Sequence, residues 1–88
     1  MSESNKEILL ITQEECAEVT QAISKVFRFG MDAEHKGVTN REHLEEEVGD
    51  LLCMIDLLIE KDIIGSVWVE KARVAKREKL AIWSKVDV

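Results

Sequence analysis

The chain has 88 residues, of which 45% are apolar and 34% are charged. This length and apolar content fit one small folded domain, residues 1–88, and exclude a compositionally disordered chain. The net charge of −6 argues against a nucleic-acid-binding protein, because phosphate backbones attract basic surfaces. The absence of proline and the shortage of aromatic residues favour helices over strands.

The sequence carries no sign of a membrane protein or of a secreted one. No apolar run reaches the roughly 18 residues that cross a bilayer, and the polar start, Met1-Ser2-Glu3-Ser4, does not resemble a signal peptide. We therefore expect a cytoplasmic protein that does not contact a membrane. Cys16 and Cys53 lie in apolar helical patterns, which predicts two buried free thiols in a reducing compartment.

The first predicted helix runs from Ser4 to Phe29. Its start is indicated by Ser4-Asn5-Lys6-Glu7, which has the pattern of a capping box. Gly30 is a suitable C-terminal stop. The following residues, 30–38, are mostly polar, include two glycines and show no periodicity, so we expect a loop.

The second predicted helix starts at Thr39 and continues to about Asp62. Thr39-Asn40-Arg41-Glu42 again has the capping-box pattern. The third predicted helix opens at Ser66, a good N-cap residue, and runs to about Lys85.

Each predicted helix carries one broad arc of apolar side chains when it is drawn at about 100° per residue. The arcs contain Ile8, Ile11, Cys16, Val19, Ala22, Ile23, Val26 and Phe27 in the first helix, Leu44, Val48, Leu51, Leu52, Met54, Ile55, Leu58 and Ile59 in the second, and Trp68, Val69, Ala72, Ala75, Leu80 and Trp83 in the third. Three helices cannot bury arcs this wide by themselves. We therefore predict an all-α fold in which three main helices per chain complete a four-helix-type bundle by forming a homodimer or homotetramer, with both tryptophans in the core.

Two glutamates lie where a charge is unexpected. Glu15 falls inside the apolar arc of the first helix and Glu47 inside that of the second, where an uncompensated carboxylate costs several kcal/mol. Each has a second carboxylate three residues later, Glu18 and Asp50, on the same helical face. If the two helices pack through these arcs, the four carboxylates converge.

Converging carboxylates repel one another unless they are protonated or hold a cation. Oxygen ligands of this kind suit Mg²⁺, with Mn²⁺ as an alternative ion. The competing interpretation is that both pairs are surface charges of a glutamate-rich protein, and the residues alone leave both interpretations open. His43, one turn before Glu47, is a further candidate ligand, but a ferritin-like di-iron site needs two Glu-x-x-His motifs and none is present.

The residues around the two pairs match a family signature. Glu-Glu-Cys-Ala-Glu at 14–18, followed by Glu-Glu-Glu-Val-Gly-Asp-Leu-Leu at 45–52, resembles the MazG-like all-α nucleoside triphosphate pyrophosphohydrolases, whose signature is E-x-x-E, a spacer and E-x-x-D. The spacer here has 28 residues, toward the long end for the family. The resemblance covers roughly residues 7–58, and the third helix matches more loosely.

The resemblance implies an activity. Such enzymes cleave a nucleoside or deoxynucleoside triphosphate between the α and β phosphates, with Mg²⁺ and a metal-activated water, and they form dimers or tetramers. Carried over to this chain, Glu15, Glu18, Glu47 and Asp50 become the metal ligands and catalytic residues, and one of the four can act as general base. The base pocket is expected to come from the first helix, from residues 30–38 or from a neighbouring subunit.

Three lysines are candidates for substrate binding. Lys25 lies two turns beyond Glu18 on the same flank of its helix, and Lys76 and Lys79 lie within the apolar arc of the third helix. Each could extend an ammonium group toward phosphates, although ordinary surface or salt-bridging roles stay open. The alternative function is a non-enzymatic helical dimer, an adaptor or regulator, on the same scaffold.

Overall fold

The computed structural model describes all residues from Met1 to Val88. It contains three helices, α1 (Glu3–Phe29), α2 (Asn40–Glu60) and α3 (Ser66–Trp83). Two short strands, β1 (Glu34–His35) and β2 (Val38–Thr39), lie between α1 and α2. The predicted all-α class with three main helices is therefore confirmed. None of the helices combines the length and the apolar character that crossing a bilayer requires.

The start of α1 differs from the prediction. Ser2, not Ser4, is the N-cap residue, because its hydroxyl oxygen accepts a hydrogen bond from the backbone N–H of Asn5 at 3.0 Å. The predicted capping box at Ser4 and Glu7 is therefore wrong by one half-turn. Gly30 ends the helix as predicted, with a φ of 93° that side-chain-bearing residues rarely adopt.

The segment predicted as a loop contains a small antiparallel hairpin. Its strands pair Glu34 with Thr39 and His35 with Val38. The two residues at the tip, Lys36 and Gly37, both have positive φ angles, of 53° and 81°. This is the turn geometry that matches the twist of two tightly connected strands.

The start of α2 confirms its predicted capping box. The Thr39 hydroxyl oxygen accepts from the Glu42 backbone N–H at 3.1 Å, and the Glu42 carboxylate accepts from the Thr39 backbone N–H at 3.4 Å. The reciprocal bonds satisfy two backbone donors that otherwise lack partners. They also fix the direction in which the chain leaves the hairpin and enters α2.

The start of α3 differs from the prediction as well. Ser66 is the first helical residue, and Gly65 occupies the N-cap position without any side-chain hydrogen bond. The predicted cap is thus absent, and the turn between the helices is held instead by the Leu58 carbonyl oxygen. It accepts from the backbone N–H groups of Ile63 and Ile64, at 2.9 and 3.2 Å.

The core lies between α1 and α2. Ile8 near the start of α1 packs with Met54 and Leu58 near the end of α2, so the two helices run antiparallel. At the other end of the pair, the Asn40 side-chain amide donates to the Gly30 carbonyl oxygen at 2.9 Å. The helical pair is therefore fastened at both ends, with its middle left for the polar residues described below.

The third helix stands apart from this pair. None of its residues is buried, and it makes at most marginal contact with α1 and α2. Trp68 and Trp83 are 75% and 84% exposed. Both tryptophans therefore lie outside the core of a single chain, because no element of the same chain covers their side of α3, and their burial in an oligomer stays a prediction.

The two cysteines are free, as predicted, but they are exposed rather than buried. Cys16 and Cys53 point away from the α1–α2 contact, because each lies about a quarter-turn or more from the residues that form it. The apolar pattern predicted that both cysteines are buried in a core, but the packing of α1 against α2 leaves them exposed.

The α1–α2 pair has two unlike sides. Helical periodicity and the antiparallel arrangement place exposed apolar residues of both helices on one side, which we call the apolar side. It contains Leu9, Cys16, Ile23 and Phe27 of α1 and Val48 and Leu52 of α2. The opposite, acidic side contains Glu14, Glu18 and Lys25 of α1 and Glu46 and Asp50 of α2. Functional chemistry is therefore concentrated on one side of the pair.

Candidate metal centre

Three carboxylates meet between the middle of α1 and the first half of α2. One oxygen each from Glu15, Glu47 and Asp50 lies within 4.8 Å of the other two, and we call this group the carboxylate cluster. Glu15 and Glu47 are half-buried, whereas Asp50 is exposed. The cluster therefore has an inner end against the apolar contact and an outer end open to solvent.

The electrostatics of Glu15 are unfavourable for an ionised carboxylate. Its Oε2 atom is buried and has no hydrogen-bond partner. Burial raises the pKa of Glu15 above its usual value, and the nearby charges of Asp50, Glu47, Glu18 and Glu14 raise it further. The buried Glu15 oxygen at the inner end of the cluster therefore has no partner, and a bound proton or cation would provide one.

The fourth predicted ligand lies beside the cluster. Glu18 is exposed and close enough to raise the pKa of Glu15, but its carboxylate is not among the three converging oxygens. Three of the four predicted carboxylates are thus brought together within one chain. Glu18 lies one turn along α1 from Glu15, on the acidic side of the pair.

A histidine supports the cluster from the N-terminal side of α2. His43 Nε2 lies 3.3 Å from Glu47 Oε1, and the Glu47 side chain is only 13% exposed. The contact follows from the spacing of four residues, which places the two side chains on adjacent turns. The sequence suggested His43 as a candidate ligand, and the structure places its imidazole in contact with the Glu47 carboxylate.

A cavity of about 710 Å³ adjoins the cluster. We call it the hairpin cavity, because the β1–β2 hairpin closes it against the end of α1 and the start of α2. Its lining comprises Lys25, Phe29, Ala33, Glu34, His35, Lys36, Val38, Asn40, His43 and Glu46. Since His43 both lines the cavity and contacts Glu47, the cavity and the carboxylate cluster share a wall.

The predicted substrate lysines fall in two places. Lys25 lines the hairpin cavity. Lys76 and Lys79 are exposed on α3, and no packing within the chain brings α3 to the carboxylates. A role for these two lysines therefore stays a prediction that requires a second copy of the chain.

The sequence indicated the first helix and residues 30–38 as sources of a base pocket, and both line the cavity, but it did not indicate Phe29 or Asn40 as lining residues. A helical wheel describes one helix at a time, whereas the cavity is the space left between two helix ends and a hairpin. The only available signal was the apolar Phe29 immediately before Gly30, at the end of a helix.

Two antiparallel helices that hold a carboxylate cluster beside a cavity define an all-α protein with a candidate divalent-metal site. The family model of the MazG nucleotide pyrophosphohydrolase domain matches residues 3–79, which is most of the chain. The chain therefore belongs to the MazG nucleotide pyrophosphohydrolase family, as the sequence motifs predicted. At this level it is a domain of the hydrolase type that acts on nucleotides. No curated protein and no solved structure gives a match to this chain.

Proposed function

We propose that the protein is a Mg²⁺-dependent pyrophosphohydrolase that cleaves a nucleoside or deoxynucleoside triphosphate into the monophosphate and pyrophosphate. The observation that carries this proposal is the carboxylate cluster, with a buried Glu15 oxygen that has no partner. Membership of the MazG family supplies the nucleotide as substrate class. The reaction between the α and β phosphates follows from the family resemblance.

The donor set fits a hard divalent cation. Carboxylate oxygens are the ligands that Mg²⁺ and Mn²⁺ prefer, and a cation would satisfy the Glu15 oxygen and remove the repulsion among its neighbours. Glu15, Glu47 and Asp50 would hold the ion, with Glu18 at the flank. When bound, the ion would neutralise phosphate charge and activate a water for attack on phosphorus.

The chain's own residues have distinct tasks in this reaction. His43 holds the carboxylate of Glu47 in place through its contact at 3.3 Å. One of the four acidic residues accepts the proton of the attacking water. Lys25, on the wall of the hairpin cavity, binds the phosphates and offsets part of the charge that reaches the leaving group.

A homodimer or homotetramer belongs to the same proposal. Phe27 on the apolar side is 86% exposed and Leu52 is 55% exposed, in addition to the two exposed tryptophans of α3. Exposed large apolar side chains in this number are typical of an interface. A second copy would cover it and would bring Lys76 and Lys79 to a carboxylate cluster that is not their own.

The direct test is a screen for pyrophosphate release across the ribo- and deoxyribonucleoside triphosphates, with Mg²⁺, with Mn²⁺ and with EDTA. We expect release from at least one nucleotide, its loss in EDTA, and a fall of at least about 100-fold in Glu47→Gln. Glu45→Gln is the matched control, because Glu45 lies on the same helix but is exposed and outside the cluster.

The screen also separates the enzyme from the adaptor. Absence of metal-dependent pyrophosphate release from every nucleotide would overturn the proposal and favour the non-enzymatic helical dimer. Thermal unfolding gives an independent measurement, since Mg²⁺ together with nucleotide should raise the midpoint of the wild-type protein and leave an adaptor unchanged.

A further inference from the structure

The hairpin cavity has the size of a ligand site and lies next to the carboxylate cluster. Its volume of about 710 Å³ falls within the range of about 300–1,000 Å³ that is usual for small-molecule sites. If the cluster takes the phosphates, the cavity is the adjoining space for the remainder of the nucleotide. The geometry points to a nucleoside subsite in the hairpin cavity that selects bases with an amino group, an inference that rests on the proposed function.

Phe29 provides an aromatic surface in this cavity. Its side chain is 61% exposed and lines the cavity wall. The Arg28 guanidinium carbon lies 4.9 Å from the ring centroid, so it covers one face of the ring. The other face is free to stack on a base. Such stacking is strong enough that truncation to alanine weakens binding about tenfold.

Asn40 presents a fixed hydrogen-bond acceptor. Its side-chain nitrogen donates to the Gly30 carbonyl oxygen at 2.9 Å, and the residue is buried with only 8% of its surface exposed. The amide is therefore held in one orientation, which leaves its oxygen as the group available to a ligand in the cavity that it lines.

The acidic residues of the lining favour the same kind of base. Glu34 and Glu46 both line the cavity, and ionised carboxylates only accept hydrogen bonds. Together with Asn40 they match an exocyclic amino group, as in cytosine or adenine. Thymine and uracil carry a carbonyl oxygen in place of this amino group, so that an acceptor of the base would face the acceptors of the lining, which is unfavourable.

Lys25 connects the subsite to the phosphates. It precedes Phe29 by four residues on α1 and follows Glu15 of the carboxylate cluster by ten, which is about 15 Å along the helix axis. A nucleotide with its base on Phe29 would therefore pass Lys25 on its way to the carboxylate cluster. Lys36 at the hairpin tip adds a second positive charge to the lining.

The test measures binding of nucleoside monophosphates directly, by calorimetric titration of the full-length protein with dCMP, dAMP and dTMP. We expect dCMP and dAMP to bind more tightly than dTMP. Phe29→Ala should weaken dCMP binding about tenfold. Leu10→Ala is the control, because Leu10 is a large apolar residue of the same helix that is 60% exposed and does not line the cavity. Sedimentation verifies that both variants keep the wild-type oligomeric state.

A second variant tests the choice of base. Glu34→Gln combined with Glu46→Gln replaces the two carboxylates by amides that can also donate hydrogen bonds. The double variant should therefore show a smaller difference in affinity between dCMP and dTMP than the wild type. Both residues are exposed, so circular dichroism should show an unchanged fold.

The outcomes separate this inference from the proposed function. Pyrophosphate release with dCMP binding that is unaffected by Phe29→Ala would overturn the subsite and leave the activity standing. Monophosphate binding weakened by Phe29→Ala, in a protein that hydrolyses no nucleotide, would support the subsite and overturn the activity. Binding of dTMP as tight as that of dCMP would overturn the preference for an amino group.

Discussion

The α1–α2 pair and α3 differ in burial: the pair has core residues that a single chain buries, whereas α3 has none. The pair contains the buried core residues, the carboxylate cluster and the hairpin cavity. The helix α3 has no buried residue and carries five basic against two acidic side chains, in a chain whose net charge is −6. The acidic site and the basic helix are thus complementary in charge but are not joined within one chain.

This difference separates what one chain needs for binding a metal from what it needs for binding a phosphorylated substrate. A cation needs only the carboxylates of the helical pair. A triphosphate needs positive charge as well, and beyond Lys25 and Lys36 the suitable side chains are concentrated on α3. The comparison predicts that metal binding and catalysis respond differently to changes in α3.

The largest change in activity is expected when the two candidate phosphate-binding lysines of α3 are replaced. Lys76→Ala with Lys79→Ala should lower kcat/KM about tenfold or more, because two phosphate-binding charges are lost, while Mg²⁺ binding is retained. Arg73→Ala with Arg77→Ala removes the same charge from the same helix and should have a smaller effect. Steady-state kinetics and metal titration measure both quantities.

Mixing subunits shows whether α3 acts across copies. Glu47→Gln should be nearly inactive alone and the double lysine variant weakly active, but a mixture that exchanges subunits should exceed the summed activity of the two separate variants. A mixture that stays inactive although sedimentation shows exchanged subunits would contradict a shared site and would confine each α3 to its own chain.

An intermediate effect is expected from Glu15→Gln in the metal-free protein. Because the pKa of Glu15 is raised in the folded chain, the folded state keeps a proton that the unfolded state has lost above the usual value of 4.5. The free energy of unfolding therefore falls as the pH rises through this window. The variant should lose this dependence, have a higher unfolding midpoint at pH 7 without metal, and gain less from Mg²⁺.

Thermal unfolding between pH 4 and pH 8, with and without Mg²⁺, measures these changes. Glu7→Gln is the control, because Glu7 is an exposed residue of the same helix outside the cluster. A Glu15→Gln protein that is less stable than wild type at pH 7 without metal would show that the ionised Glu15 carboxylate does not destabilise the folded protein.

The smallest effect is expected at the cap of α2. Thr39→Ala removes the hydroxyl that accepts from Glu42 and should cost about 1 kcal/mol of stability. Thr20→Ala is the comparison, since Thr20 is an exposed mid-helix residue whose hydroxyl bonds only to the Cys16 carbonyl oxygen. Chemical denaturation should show a lowered midpoint for the first variant and little change for the second. Equal midpoints would show that the cap is dispensable.

The helices and the anomalous glutamates could be predicted from the sequence because both depend on long-range periodicity. A period of 3.6 residues is repeated many times in α1 and α2, and a charge inside an apolar arc stands out against it. Among the N-cap residues, only Thr39 was predicted correctly. At the start of α1, Ser2 and Ser4 both fit the local pattern, and at the start of α3 the N-cap position is Gly65, one residue before the predicted Ser66.

Helical periodicity could not predict the hairpin, nor could it predict which surfaces cover the apolar faces of the helices. Two-residue strands contain no period, and the hairpin follows from the left-handed conformation of Lys36 and Gly37. The apolar arcs showed correctly that Trp68, Trp83 and Cys16 belong to apolar faces. They did not show which surface covers each face, and within a single chain none does.

The hydrogen bond between Asn40 and Gly30 has a consequence for how this protein can change over evolutionary time. The residue that presents an acceptor to the cavity also fastens the end of α1 to the start of α2. A substitution at Asn40 would therefore alter ligand choice and helix spacing together, whereas Phe29, Glu34 and Glu46 are exposed and can vary with little structural cost. Divergence in substrate preference is accordingly expected to begin at the exposed wall of the cavity, with Asn40 kept constant.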